Sequence, residues 1–388
     1  MPRNGARLGM GIVVGGLLAV GATVAQRELL RRAGTRLIDW EAVRNIARRR
    51  LGSAAELLSA AEREAAEAFY REILLRIEPL VAATIGAELP RALETPVVVD
   101  RLTWIDLNLA TFKQLFGRVE RIINEATVGA DTPGRALTRI LNRSLGNQQL
   151  GFLMAFLAGK VLGQYDVSVL AAGDTTRGRL HFVEQNIAAT AATMRIPLDE
   201  FRTFIALHEA THAFEFEAYP WLRGHFASLV GEAIEQLAAE SGGLGKRLRE
   251  AVAQRGGHWL ERLMTPAQRA SFRRTQALMS LLEGYSNHVM NAVGEQILPG
   301  FARLHERFER RNEQRGPLER AILRLTGLDL KLEQYAAGER FVDAVLAARG
   351  RDLLNRVWEG PDRLPSLDEI AHPERWMRRI DTIAAAGA

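Results

Sequence analysis

His208, Glu209 and His212 stand in the order H-E-x-x-H (His208-Glu209-Ala210-Thr211-His212), inside a segment bounded by Pro197 and Pro220. If that segment is a helix, residues four apart lie one above the other on the same face. Two imidazoles so placed can share one zinc ion, and the intervening carboxylate stands beside the metal as a general base. A hydrolytic zinc site needs a third protein ligand and an open position for water. The chain has no cysteine, so that ligand must be histidine or a carboxylate, and disulfides, thiolate zinc sites and cysteine nucleophiles are excluded.

Two glutamates compete for the third position. Glu232 follows His212 after 19 intervening residues, a spacing similar to that of thermolysin-like zinc peptidases, but its surroundings read as an ordinary amphipathic helix. Glu283 interrupts an apolar run, Ala277-Leu278-Met279-Ser280-Leu281-Leu282, where a charge should be paired or metal-bound. Glu283-Gly284-Tyr285-Ser286 also resembles the Glu-Gly-Phe-Ala ligand helix of aminopeptidase-type gluzincins. Glu283 is therefore the preferred third ligand. Asn287, one turn on, is placed to hydrogen-bond the outer nitrogen of a ligating histidine. His288 lies about 140° around the helix from Glu283, which suits a pocket residue better than a ligand.

These residues need helices to carry them, and the pattern supplies them. Pro197 opens a helix at about 198–217, with Asp199 and Glu200 favoured in its first turn by the helix dipole. A second helix is expected at about 223–240. Thr265-Pro266-Ala267-Gln268 has the form of a capping box, starting a long helix that Gly294 should stop near Val293. Amphipathic patterns predict further helices near 53–87, 103–126, 134–145, 301–314, 317–325, 329–347 and 373–386. Residues 148–162 read as a buried core helix, with Gly151, Ala155, Gly159 and Gly163 forming a small-residue ridge. The one clear β signal is a hairpin, Val167–Leu170 with Leu180–Val183, in which Leu180–Val183 is the candidate edge for pairing with an extended peptide. The expected fold is mainly α with a small β-hairpin or sheet.

The chain has 388 residues, 47% hydrophobic and 25% charged, with a net charge of +5. The arginines are spread along helices rather than gathered in one tract, so no nucleic-acid partner is expected. Leu8–Ala25 is an uncharged run of 18 residues, followed by Arg27, Arg31, Arg32 and Arg36. As a helix it would span ~27 Å. It reads as a membrane anchor with the main domain on the cytoplasmic side. The alternatives are a cleaved signal peptide and a segment packed on a soluble cytoplasmic protein. The division expected is an N-terminal apolar and basic segment over 1–36 and a catalytic domain over 37–388.

Several segments together resemble a bacterial family of zincin-like metallopeptidases associated by genome context with deazaflavin-coenzyme biosynthesis. They are Ile38-Asp39-Trp40, Val161–Asp166, Ala206–Leu222, Gln276–Val293 and Arg356-Val357-Trp358. The resemblance runs from about residue 37 to the end. It implies a zincin fold of gluzincin type and one Zn²⁺, but no substrate. The family pattern carries an acidic residue where this chain has Asn287. The resulting expectation is a metallopeptidase acting on a peptide or protein, with His208, His212 and Glu283 as ligands and Glu209 as base. Tyr285 and His288, with His225 and Tyr219 as further candidates, would stabilise the oxyanion. The competing expectation is a membrane-tethered scaffold or partner-binding protein with a structural or vestigial zinc site.

Overall fold

Three short strands separate two hydrophobic clusters in a computed structural model that describes residues 38–55, 57–89, 93, 96–126, 133–165, 179–239, 264–313 and 330–386. The strands are β1 (Val97–Val99), β2 (Gly163–Tyr165) and β3 (Leu180–Val183), in the order β1-β3-β2. β3 pairs parallel with β1 through Val98↔Phe182 and antiparallel with β2 through Gln164↔His181. Every residue of β3 is buried, as befits a strand covered on both faces. Side chains alternate across a strand, so Leu180 and Phe182 enter one cluster while Val183 enters the other.

The smaller cluster is formed by α1 (Trp40–Leu51), α3 (Arg101–Ala126) and α4 (Pro133–Ala158), around Val43, Trp104, Ile105 and Met154. The larger gathers α2 (Ala60–Ile85), α5 (Glu184–Met194), α6 (Leu198–Ala218), α7 (Pro220–Ala239), α8 (Pro266–Ile297), α9 (Phe301–Glu313), α10 (Leu330–Leu354), α11 (Leu367–Ala371) and α12 (Pro373–Ala386). Residues 1–37, including the apolar run 8–25, lie outside the described residues, as do Val167–Leu170 and the helix expected at 317–325. Among the described residues no helix is long and apolar enough to cross a membrane.

The mainly helical expectation holds, with local differences. Leu180–Val183 is the central strand rather than an edge, because β2 and β1 occupy its two sides. Residues 134–145 and 148–162 join into the single helix α4, which ends at Ala158. The small-residue ridge serves three purposes instead of one. A side chain at Gly151 would strike Ile46 of α1 at 2.6 Å, Gly159 follows the helix end, and Gly163 belongs to β2. α8 runs through Gly294 to Ile297 because that glycine makes room for the Phe301 ring, which a Cβ would meet at 2.3 Å.

The two helices that matter most are anchored by polar contacts as well as by packing. α6 starts after Pro197 with Asp199 and Glu200 in its first turn, and α7 opens on Pro220. Arg202 of α6 forms an ion pair with the buried Glu184 at 2.5 Å, and Glu184 also accepts from the Tyr70 hydroxyl at 2.9 Å. Tyr70 in turn stacks on Phe182 with ring centroids 3.9 Å apart. Tyr70→Phe should cost about 1.5–3 kcal/mol, the range for a buried hydrogen bond to a charged group, measured by urea unfolding; Glu184 keeps its arginine in that variant. At the start of α8, Thr265 accepts from the Gln268 backbone and the Gln268 side chain returns to Thr265, closing the capping box that the sequence announces.

Candidate metal centre

α6 and α8 pack side by side, and the contact brings together residues about seventy positions apart. His208, His212 and Glu283 each offer one donor atom, all within 4.8 Å of one another. The two imidazoles are stacked along α6, ring centroids 4.7 Å apart and planes at 86°. His212 Nε2 stands 3.6 Å from Glu283 Oε2. Donors about 2.0–2.2 Å from one tetrahedral ion would be roughly 3.3–3.6 Å apart. That pair is already at ligand spacing, and the third donor lies within 4.8 Å of both. Two imidazoles and one carboxylate suit zinc, which accepts nitrogen and oxygen donors.

The burial gradient also fits. Glu283 is 7% exposed, on the face of α8 turned toward α6, whereas His208 and His212 are only partly covered. The second nitrogen of each ring has a neighbour. His212 Nδ1 lies 3.0 Å from Glu215 Oε2, three residues on along α6, and His208 Nδ1 lies 3.1 Å from Met290 Sδ on α8. Glu215 is thus the neighbour at the outer nitrogen of His212; the sequence offers Asn287 for a ligating histidine without saying which. Glu215 is fully buried. Burial pushes its carboxyl up to about 7, against the lowering effect of His212. Burial opposes charge on His212, but Glu283 and Glu215, one on each side of the ring, outweigh it and raise its pKa well above the ordinary imidazole value. Glu215 could have been found in the sequence: it is a carboxylate between Phe214 and Phe216 in an otherwise apolar helix turn, spaced three residues from a candidate ligand.

Glu209 is 7% exposed and packs against strand β2. A Cβ on Gly163 would sit 2.5 Å from its Cγ and 2.6 Å from its Oε1, so the glycine is the space its carboxylate occupies. β2 is itself fixed from both faces. Gln164 accepts from the Trp104 indole at 2.7 Å on the α3 side, and Tyr165 donates to Glu217 of α6 at 2.6 Å on the other.

The remaining candidates are not members of the His-His-Glu group. Glu232 is on the surface of α7, paired with Arg274 at 2.6 Å. Tyr285 is buried, its hydroxyl donating to Asn355 at 2.9 Å and its edge facing Trp358. Tyr219 stacks on the same tryptophan, with centroids 5.0 Å apart, and burial pushes its hydroxyl up to about 12. His288 turns toward α10, 3.8 Å from Asp343, and burial holds its imidazole below the ordinary value. His225 sits beside Trp221 on α7. The three-residue group that could hold a metal includes none of these five.

A helix bearing H-E-x-x-H, a carboxylate from a second helix and a small adjoining sheet define a zincin-type architecture. A family profile described as zincin-like metallopeptidase matches residues 38–377, and the chain belongs to that family. It is also similar to a solved structure from Chloroflexus aurantiacus, described as that of a candidate hydrolase with a novel fold. The two are 42% identical, with a TM-score of 0.65, and the match covers 89% of this chain and 99% of the other. No protein of curated function matches the chain. Family membership implies a zinc cofactor and hydrolytic chemistry.

Proposed function

We propose that this protein is a zinc-dependent peptidase in which His208, His212 and Glu283 hold one zinc ion and Glu209 is the general base. The observation that carries the reading is the placement of the buried Glu209 against Gly163 on the same turn of α6 as a converging His-His-Glu group. When bound, zinc acidifies a water molecule and polarises the scissile carbonyl. Glu209, next to His208 and one turn before His212 on α6, would accept the water proton and return it to the leaving amine. Strand β2 supports this step by backing the Glu209 carboxylate. Among the described residues it lies at the edge of the sheet, the position at which an extended peptide would pair.

The test combines metal content with turnover. Purified wild-type protein, Glu283→Ala and Glu232→Ala would be analysed for zinc and assayed on a diverse peptide library. Glu283→Ala should lose most of its zinc and all detectable cleavage, because one of three ligands is gone. Glu232→Ala should match wild type in both, since it removes only an exposed ion pair of about 0–1 kcal/mol. Zinc retained in Glu283→Ala but lost from Glu232→Ala would reverse the ligand assignment. Zinc-loaded wild type that cleaves no peptide would support the scaffold reading instead.

A further inference from the structure

Among the described residues, Glu215 is the buried charged residue near the centre that the ligand set and the base leave unexplained. Its side chain is completely shielded from solvent. Oε2 meets His212 Nδ1 at 3.0 Å, while Oε1 has no hydrogen-bond partner among the described residues. Burying a carboxylate with one hydrogen bond is costly, and an apolar residue there would avoid that cost. A fold that retains the carboxylate uses it on His212.

We infer that Glu215 is a positioning residue that fixes His212 in the Nδ1–H tautomer, with the Nε2 lone pair aimed at the metal position beside Glu283. The inference rests on the zinc reading above. An imidazole offers a lone pair at one nitrogen only when the other carries the proton. A carboxylate acceptor at Nδ1 selects that state, stops the ring from turning about its Cβ–Cγ bond and raises the basicity of Nε2. Glu283 and Glu215 thus bracket the ring, one across the metal position and one behind it.

The experiment uses full-length wild type, Glu215→Gln and Glu215→Met. Zinc affinity is measured by competition with a chromophoric chelator, the ligand field by the visible spectrum of the Co²⁺ form, and fold integrity by thermal unfolding of the metal-free proteins. Glu215→Met should bind zinc about 10- to 100-fold more weakly, the usual cost of removing an outer partner from a ligating histidine, and show a shifted Co²⁺ spectrum. Glu215→Gln keeps an acceptor oxygen and should fall between Met and wild type. The metal-free melting temperature should not decrease in either variant, which a purely structural role would not allow. Nitrogen-15 spectra of histidine-labelled, zinc-loaded wild type give a readout independent of any variant, and His212 should carry its proton on Nδ1. Wild-type zinc affinity in both variants, or a His212 proton on Nε2, overturns the assignment while leaving the zinc site standing. A wild-type protein that binds no zinc overturns both.

Discussion

Gly163→Ala should lower kcat on any peptide substrate nearly as far as Glu209→Gln, with zinc content unchanged in both variants. Removing a positioned general base costs about 10²–10⁴-fold in rate, and Glu209→Gln removes the proton-accepting oxygen while preserving shape. Gly163→Ala works from the opposite side of the contact. The added methyl would fall 2.5–2.7 Å from Cγ, Cδ and Oε1 of Glu209, so the carboxylate must leave its place. It cannot retreat freely, because it is buried and because β2 is held by Trp104 on one face and by Glu217 on the other. The three atoms nearest that methyl position all belong to Glu209, so the metal group should persist. Gly159→Ala is the control: it stands four residues earlier, and its Cβ would meet only backbone oxygens at 3.6 and 3.7 Å, ordinary contact. Steady-state kinetics with parallel zinc analysis decides the matter, and a Gly163→Ala enzyme with wild-type kcat would show that the carboxylate acts from another position.

Gly163 also marks how far the sequence could be read. The local signals were sound: Pro197 and the acidic first turn delimit α6, the Thr265 box starts α8, and Glu283 stands out as a charge in an apolar run. Each of these depends on residues within a turn or two of one another. β1 and β2 escaped notice because three residues are too few to display alternation, and Gly163 followed a helix so closely that its four-residue spacing suggested a helical ridge. The place of β3 in the sheet escaped for a different reason. Its partner β1 comes before two long helices, so strand order depends on a long crossover rather than on a turn. α5 carries little sequence signal, because its face is weakly amphipathic and its start, Val183, offers no side-chain cap. Helix spacing alone points to Asn287 as an outer partner of a ligating histidine and does not single out Glu215. The choice depends on which face of α6 is dry, and that is settled by tertiary packing.

The same limit hides the contact that sets Glu283 in place, and it yields the largest expected loss of stability. Where α8 crosses α10, Gly284 and Gly338 bring the two backbones together without side chains between them. A Cβ on Gly338 would lie 1.8 Å from the Ser280 carbonyl oxygen, and one on Gly284 would lie 2.1 Å from the Gly338 carbonyl carbon. In both cases the obstacle is backbone, which cannot rotate aside as a side chain can. Gly338→Ala should therefore destabilise the protein by more than the ~1–3 kcal/mol typical of overpacking in a core, despite the gain in helix propensity of up to ~1 kcal/mol that alanine brings. Relief requires the helices to separate, and Glu283 immediately precedes Gly284. Its carboxylate would move relative to His212, so zinc affinity should fall together with stability although residue 338 is not a ligand. Urea unfolding of the metal-free protein and a zinc titration at low temperature, where the variant stays folded, measure the two effects separately. A Gly338→Ala protein as stable as wild type would mean that α8 and α10 are not in backbone contact. A destabilised variant with unchanged zinc affinity would mean that α6, not the crossing with α10, dictates where Glu283 stands.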